Sequence, residues 1–472
     1  MVMGELAQET ELLVIGGGPG GYAAAFRAAD LGMDVTLVDI ASRPGGACLF
    51  RGCIPSKTYL YLAELIHDAG RAETMGIRFA DPDIDLAAVR SWKSKVVDKM
   101  ASGLVSLCNQ RGVQLIQGRA AFESSREVRV FDSDASAIQF RHCSLATGSR
   151  PVAFPGTRFR KGGRIMSSTG ALEIPETPER LFVLGAGYVG LELGMVYASL
   201  GAKVTLAEMA DQILPGVDAD LVKPLAKRIE EKFQEVRLGV RVDAMEETDD
   251  GVTVKMGDGG TETFDRALVA IGRKPNTDGL KLENTGVTLD DDGFVVVDER
   301  QRTADERIYA VGDLVGGMML AHKASREGKV AAEVIAGEPA AFDPMAIPAV
   351  VYTDPQVAWA GLTETEAKKA GRSVEIQRFP WKYSGRAATM GLSEGLTKIL
   401  VDPESRRVVG VGIVGRDTEG LISEGVLAIE MGAVIEDVAL SIHPHPTLSE
   451  TEAEAAEIFL GGATHAPPGK KK

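Results

Sequence analysis

The chain has 472 residues, 44% apolar and 25% charged, a globular composition long enough for about three domains of ~150 residues each. Four cysteines are too few for a disulfide-stapled secreted scaffold. A net charge of −15 disfavours nucleic acid or an anionic membrane as the main partner. Glycine stands out at 54 residues with no Gly-X-Y period, so many tight turns or close backbone approaches are expected. Met1 to Thr10 carry no basic region followed by an apolar stretch, and no apolar run reaches the ~18 residues of a membrane span. The expected location is cytoplasmic. Gly469 to Lys472 reads as a solvated end.

An internal repeat organises the chain. Residues 12–39 align without a gap on 181–208, a shift of 169, and 11 of the 28 positions are identical. Each copy reads as a buried strand, G-x-G-x-x-G, an Ala/Leu-rich helix, a glycine stop at Gly32 or Gly201, and a second strand ending on Asp39 or Glu208. The acid follows the first glycine by 23 residues in both. This is the pattern of a dinucleotide site. Gly16 and Gly185 allow the tight turn, Gly18 and Gly187 let the backbone approach a pyrophosphate, and Gly21 and Gly190 let helix pack on strand. The helix N-terminus holds the phosphate charge, and the acid takes the ribose diol. Two such sites in one chain point to electron transfer between two dinucleotides. Glu208, with no arginine in Met209-Ala210-Asp211, favours NAD over NADP.

After the first copy comes Gly45-Gly46-Ala47-Cys48-Leu49-Phe50-Arg51-Gly52-Cys53-Ile54-Pro55-Ser56-Lys57. Two cysteines with four residues between them can bridge if the turn is tight, which Gly52 permits. Spacing alone leaves a redox pair, buried free thiols or a metal site open. C-x4-C is not a usual zinc spacing and further ligands are lacking, so no metal is expected. A helix over Thr58–Ala69 would lower thiol pKa through its dipole, and Lys57 adds positive charge. Cys108 and Cys143 sit in apolar helical and strand contexts and read as core.

Further on, Ala146-Thr147-Gly148-Ser149 and Ala270-Ile271-Gly272-Arg273 each follow an apolar strand, with Pro151 and Pro275 beyond, and read as crossovers between domains. Strands are expected around Phe294–Asp298 and Ile308–Gly312. From Pro348, strand-like Val374–Phe379, Thr397–Val401 and Val408–Val414 alternate with helical Thr363–Ala370, Gly420–Met431 and Ser449–Phe459, an α+β domain. His67 falls in a helix, His142 beside a strand and His465 in the tail. His443 and His445 are two apart, so only one easily faces a given site.

These motifs resemble the class I flavoprotein pyridine nucleotide–disulfide oxidoreductases, and within them the dihydrolipoamide dehydrogenase branch, from about Glu11 to Phe459. The resemblance rests on Gly-Gly-x-Cys-x4-Cys-Ile-Pro-Ser-Lys, on Val311-Gly312-Asp313, on Met319-Leu320-Ala321-His322-Lys323-Ala324, on Ile347-Pro348 through Trp359-Ala360-Gly361, and on His443-Pro444-His445-Pro446-Thr447-Leu448-Ser449-Glu450. It implies an α/β fold of two Rossmann-like dinucleotide-binding domains plus a C-terminal α+β interface domain. The FAD domain would take residues 1–151 and 277–347, the NAD domain 152–276 and the interface domain 348–472.

The roles the resemblance implies are these. Cys48 and Cys53 form the redox disulfide, Cys48 exchanging with the substrate dithiol and Cys53 contacting the flavin. Lys57 pairs with Glu192 near the flavin N5. His445, supported by Glu450, is the base, supplied by the other subunit of a homodimer. Non-covalent FAD is held by Gly16, Gly18, Gly21 and Asp39, by Gly46, Ala47 and Lys57, by Ala120, Thr147, Gly148 and Ser149, and by Asp313, Leu320, Ala321 and His322. NAD is held by Gly185, Gly187, Tyr188, Val189 and Gly190, by Glu192 and Glu208, and by Val242, Ala270, Gly272 and Arg273. Tyr188 gates the nicotinamide pocket. The implied reaction oxidises protein-bound dihydrolipoamide and reduces NAD⁺, within 2-oxo acid dehydrogenase or glycine-cleavage complexes. The implied partners are a lipoyl domain or carrier protein and an acyltransferase core. The other readings are a related reductase with another disulfide substrate, and a complex-assembly subunit. Ala47, Phe50-Arg51, Pro444 and the order Glu419-Gly420 depart from the branch's commoner residues, but none removes a reacting group. No lipoyl domain is expected at the N-terminus. The lack of a cysteine pair after Glu450 argues against mercuric reductase and large thioredoxin reductase.

Overall fold

The computed structural model describes residues 8–133, 136–257 and 259–467, so most of the N-terminal stretch and the Lys-rich end lie outside the described residues. The first repeat copy builds a parallel sheet in the order Gln114–Gln117, Val35–Asp39, Gln8–Ile15, Ala137–Leu145, with Ile308–Ala310 added beside the last. Leu12, Leu13 and Val14 are wholly buried, as a strand covered on both faces requires. An antiparallel pair, Arg119–Ser124 and Glu127–Phe131, extends this sheet.

The second copy builds another parallel sheet, Glu235–Arg237, Lys203–Ala207, Arg180–Leu184, Arg266–Val269, Ile165–Met166. The two copies share register: Leu12 faces Val35, and Leu181 faces Val204. The repeat in sequence is therefore a repeat in hydrogen bonding. Where the chain passes between the sheets, Ser149–Pro151 pairs antiparallel with Arg273–Pro275. The Asn276 side chain donates to the Thr147 carbonyl at 2.9 Å and the Thr147 hydroxyl returns a bond to the Asn276 carbonyl at 2.9 Å.

The C-terminal unit is an antiparallel sheet, Ala349–Val351, Gln356–Gly361, Val408–Gly415, Leu396–Val401, Glu375–Pro380, with helices Thr418–Glu430 and Glu450–Phe459 packed on it. Lys398, on the strand Leu396–Val401, is buried and reaches Asp218 Oδ2 at 2.6 Å and Asp220 Oδ1 at 2.7 Å. Those acids start the helix Ala219–Lys232 of the second unit. A buried cation needs such partners, so this pair also fixes how the two units pack. The carboxylates of Asp218, Asp220 and Glu364 that gather here face an ammonium.

Three expectations are corrected. Phe294–Asp298 is not a strand and keeps only an isolated bridge from Val295 to Leu289. Asp290 caps the backbone N–H groups of Asp292 and Phe294, and Asp298 those of Arg300 and Arg302, so turn chemistry takes the donors a ladder would use. The strand at Ile308 ends at Ala310, because Gly312 sits at φ +79° and opens a short helix, Gly312–Val315. The helix expected over Thr58–Ala69 runs Cys53–Arg71, so the second cysteine is its first residue.

The helix Pro19–Asp30 crosses Ala321–Ile335 at Gly20 and Gly328. A Cβ at Gly328 would fall well inside van der Waals contact with the Gly20 carbonyl. Gly328→Ala is expected to cost about 1–3 kcal/mol through overpacking. Thermal unfolding of the variant tests this, and an unchanged Tm would show that the crossing tolerates a methyl group.

Candidate active site

Both dinucleotide turns are built alike. Gly16 has φ +105° and Gly185 φ +102°, conformations that side chains rarely adopt. A Cβ on either would strike the carbonyl of Ala146 or Ala270. A Cβ on Gly21 or Gly190 would strike the carbonyl of Gly16 or Gly185, so these positions are where helix meets turn. At Gly18 the nearest heavy atom to such a Cβ is 3.9 Å away, and at Gly187 there is none within 4 Å. The backbone is left bare where a pyrophosphate would lie.

The acids repeat too. Asp39 accepts from the backbone N–H of Gly17 and, at 2.7 Å, from Ala41. Glu208 accepts from Ala186 at 2.7 Å and Ala210 at 2.9 Å, the same positions shifted by one repeat. The backbone thus orients each carboxylate and leaves lone pairs for a diol.

A cleft of about 490 Å³ opens along the first turn. Gly16, Gly18, Asp39, Gly46, Ala47, Cys48, Cys53 and Lys57 line it, as do Ala120, Thr147, Gly148, Ser149, Asp313 and Ala321. Tyr188, Val189, Glu192 and Arg273 close its far end, so residues of both repeat copies meet there. Its volume is that of a ligand site.

Several expected residues stand elsewhere. Gly21 is in the helix–turn contact. Leu320 precedes the helix Ala321–Ile335 without lining the cleft, and exposed His322 meets the Pro348 carbonyl at 2.8 Å. Val242 is packed in the core with Phe182 and Met256. Gly185, Gly187, Gly190, Glu208, Ala270 and Gly272 belong to the second turn and its crossover, outside this cleft.

Cys48 lies on the short helix Gly46–Arg51 and Cys53 at the start of Cys53–Arg71, joined through Gly52. A Cβ at Gly52 would press on the Ala47 carbonyl at 3.0 Å, so the link is tight. The two cysteines are adjacent free thiols, and each shifts the other's titration. A hydrogen bond from Cys48 lowers the Cys53 pKa to about 7, burial opposes this and the Lys57 charge assists. The same bond, with burial, pushes the Cys48 thiol well up. At the start of its helix and beside the Lys57 charge, Cys53 is the member of the pair that the site favours as a thiolate.

Lys57 Nζ donates to both Glu192 oxygens, at 3.0 and 2.8 Å. It also lies 4.5 Å from the centre of the Tyr352 ring, and the Tyr352 N–H donates to Glu192 at 3.0 Å. Glu192 is 3% exposed, so these bonds replace the water it lost.

In the cleft wall, Ser149 Oγ donates to Asp313 and Arg273 Nε donates to Ser149 Oγ at 2.7 Å. The Gly312 N–H next to Asp313 donates to buried Glu327 at 2.8 Å, and Glu327 pairs with Lys323 at 2.6 Å. Tyr352, Asn276 and Glu327 are not visible as site residues in the sequence. Their partners lie far along the chain, and no spacing rule links them.

His445 and Glu450 are on the C-terminal unit, outside this cleft. His445 Nδ1 bonds Glu450 Oε1 at 2.8 Å, and Glu450 Oε2 accepts the Thr447 N–H at 2.6 Å. That bond to Thr447, with the one from His445, holds the Glu450 carboxyl below its ordinary range despite burial. His443 turns the other way, to Glu424 at 2.8 Å. Around them Leu427, Met431, Leu440 and Ile442 are strongly exposed, the mark of a protein–protein surface. His465 does not hang free as a tail residue but bonds Glu454 and lies against His445.

The bare glycine backbone, the paired acids and the sized cleft fit a flavin dinucleotide at the first turn, and the second turn repeats the donor set for a nicotinamide dinucleotide. The fold and site define a two-dinucleotide thiol–disulfide oxidoreductase. Residues 10–328 match the pyridine nucleotide-disulphide oxidoreductase family and 347–456 its dimerisation domain, and the chain belongs to that family. It is therefore an oxidoreductase using FAD and NAD, and a homodimer.

It is 48% identical to a dihydrolipoyl dehydrogenase of Haloferax volcanii, over 98% of this chain and 99% of that one. It is 45% identical to one of Haemophilus influenzae, over 98% of each. LpdA of Mycobacterium tuberculosis superposes with a TM-score of 0.89 at 28% identity, over 95% of this chain and 99% of that one. No described helix is long and apolar enough to cross a membrane.

Removing the Lys57 charge raises the pH at which Cys53 ionises, since a nearby cation favours the thiolate. In the reduced protein, the thiolate absorbance of Lys57→Met is expected to titrate above that of the parent. A coincident curve would remove Lys57 from the electrostatics of the pair.

Proposed function

We propose that the chain is a dihydrolipoyl dehydrogenase that oxidises protein-bound dihydrolipoamide and reduces NAD⁺ to NADH. The observation that carries this reading is the Cys48–Cys53 thiol pair at a helix start, lining one cleft with the Lys57–Glu192 ion pair. In the oxidised protein the pair is a disulfide. One substrate thiol gives its proton to the partner subunit's His445 and attacks Cys48, and Cys53 leaves as a thiolate. The second substrate thiol attacks the mixed disulfide, Cys48 leaves as a thiol, and lipoamide departs. FAD held at the first turn beside Cys53 and Lys57 would supply the two-electron chemistry that links the thiol pair to NAD⁺. Lys57 supplies positive charge beside this path, and Glu450 keeps the His445 ring oriented.

FAD would be held by the first turn with Asp39, Ala120, Ser149 and Asp313. NAD would be held by the second turn with Glu208, whose carboxylate repels a 2′-phosphate. This reading takes 1–151 and 277–347 as the FAD domain, 152–276 as the NAD domain and 348–472 as the interface domain. A lipoyl domain or carrier protein delivers the dithiol, and an acidic chain of −15 suits docking to a basic segment of an acyltransferase core. A cytoplasmic location suits a catalytic thiol pair with two further reduced cysteines.

Cys53→Ser is expected to abolish dihydrolipoamide–NAD⁺ turnover, and His445→Gln to lower it about 10²–10⁴-fold. Assays with dihydrolipoamide, reduced glutathione and reduced coenzyme A test the substrate. Full activity in Cys53→Ser, or a preference for glutathione, would overturn the reading.

A further inference from the structure

After the helix Glu450–Phe459 the chain turns at Gly461, φ +103°, and runs back along that helix. Two carboxylates tie it down. Thr464 N–H donates to Glu457 Oε2 at 3.3 Å, and His465 N–H donates to Glu454 Oε2 at 3.2 Å. His465 Nδ1 bonds the other Glu454 oxygen at 2.5 Å, and Ala466 packs against the core of the C-terminal unit. Glu454 is buried, so the ring it holds is fixed. The outcome is a second histidine–glutamate pair beside the first. Glu450 and Glu454 are one helical turn apart on one face. Each takes the Nδ1 of an imidazole, and the rings of His445 and His465 lie 6.3 Å apart at 16°, stacked.

Building on the reading of His445 as the base, we propose that His465 is a positioning residue for it, its Glu454-anchored ring lying beside and nearly parallel to that of His445 and holding it in the orientation that serves the dithiol. His445 needs such support. Its side chain is 66% exposed within one subunit, and its one hydrogen bond among the described residues is to Glu450. A bond at Nδ1 fixes where the ring is hinged, while a stacked neighbour limits its swing about that hinge. Ring placement of this kind decides how often the base is in reach of its proton.

The test uses the dimeric holoenzyme with His465→Ala, His465→Phe and His445→Gln. His465→Ala removes the ring. It is expected to lower kcat for dihydrolipoamide oxidation about tenfold with KM little changed. His465→Phe keeps a flat ring, so its plateau kcat is expected to recover to within about twofold of the parent. Dimer mass and flavin content report folding and are expected to match the parent. A His465→Ala enzyme with the parent's kcat would overturn the proposal. So would a His465→Phe enzyme as slow as His465→Ala. Full activity in His445→Gln would instead overturn the assignment of the base itself.

Discussion

The ion pair between Lys57 and Glu192 is the contact on which the rest of the site depends. Lys57 rides on the helix that begins with Cys53, Glu192 on the helix that follows the second glycine turn, and the bond from Tyr352 adds the C-terminal unit. Three parts of the chain thus converge on one carboxylate. An unpaired carboxylate at that depth costs several kcal/mol. The units therefore gain by docking where Lys57 and Tyr352 both reach it. This docking sets the thiol pair against the far end of the cleft, where Tyr188 and Arg273 stand. The same ammonium helps hold Cys53 as a thiolate. One interaction serves both packing and reactivity.

Duplication explains why two cofactors can meet. Each copy makes the same strand register, the same bare glycine turn and the same carboxylate held by two backbone N–H groups. The copies differ in what surrounds them. The first is followed by the cysteine segment and covered by the helix Ala321–Ile335. The second is reached through the crossovers at Ser149 and Arg273, which are themselves hydrogen-bonded to each other and to Asp313. The thiol pair lines the cleft in which residues of the two copies meet.

What could be read in the sequence was what is local. Both turns, both acids, the cysteine pair and the His445–Glu450 dyad lie within short windows whose spacing has a mechanical meaning. What could not be read comes from long-range packing. Glu327 supports Gly312 from the next helix, and Tyr352 reaches Glu192 across 160 residues. The Phe294–Asp298 stretch has strand composition, but Asp290 and Asp298 turn the backbone donors inward. His465 looked like a tail residue because its partners, Glu454 and His445, become neighbours only when the chain reverses at Gly461. The −15 charge still has no single site that accounts for it.

The central claim is that Cys53 is the thiolate that faces the flavin once the substrate has reduced the pair. Anaerobic addition of dihydrolipoamide to the holoenzyme, followed by its long-wavelength absorption across pH, tests this most directly. The account expects a thiolate–flavin charge-transfer band that is strong at alkaline pH, fades as pH falls through about 7, and is absent in Cys53→Ser but not in Cys48→Ser. A band that never forms, or one that survives Cys53→Ser, would contradict it.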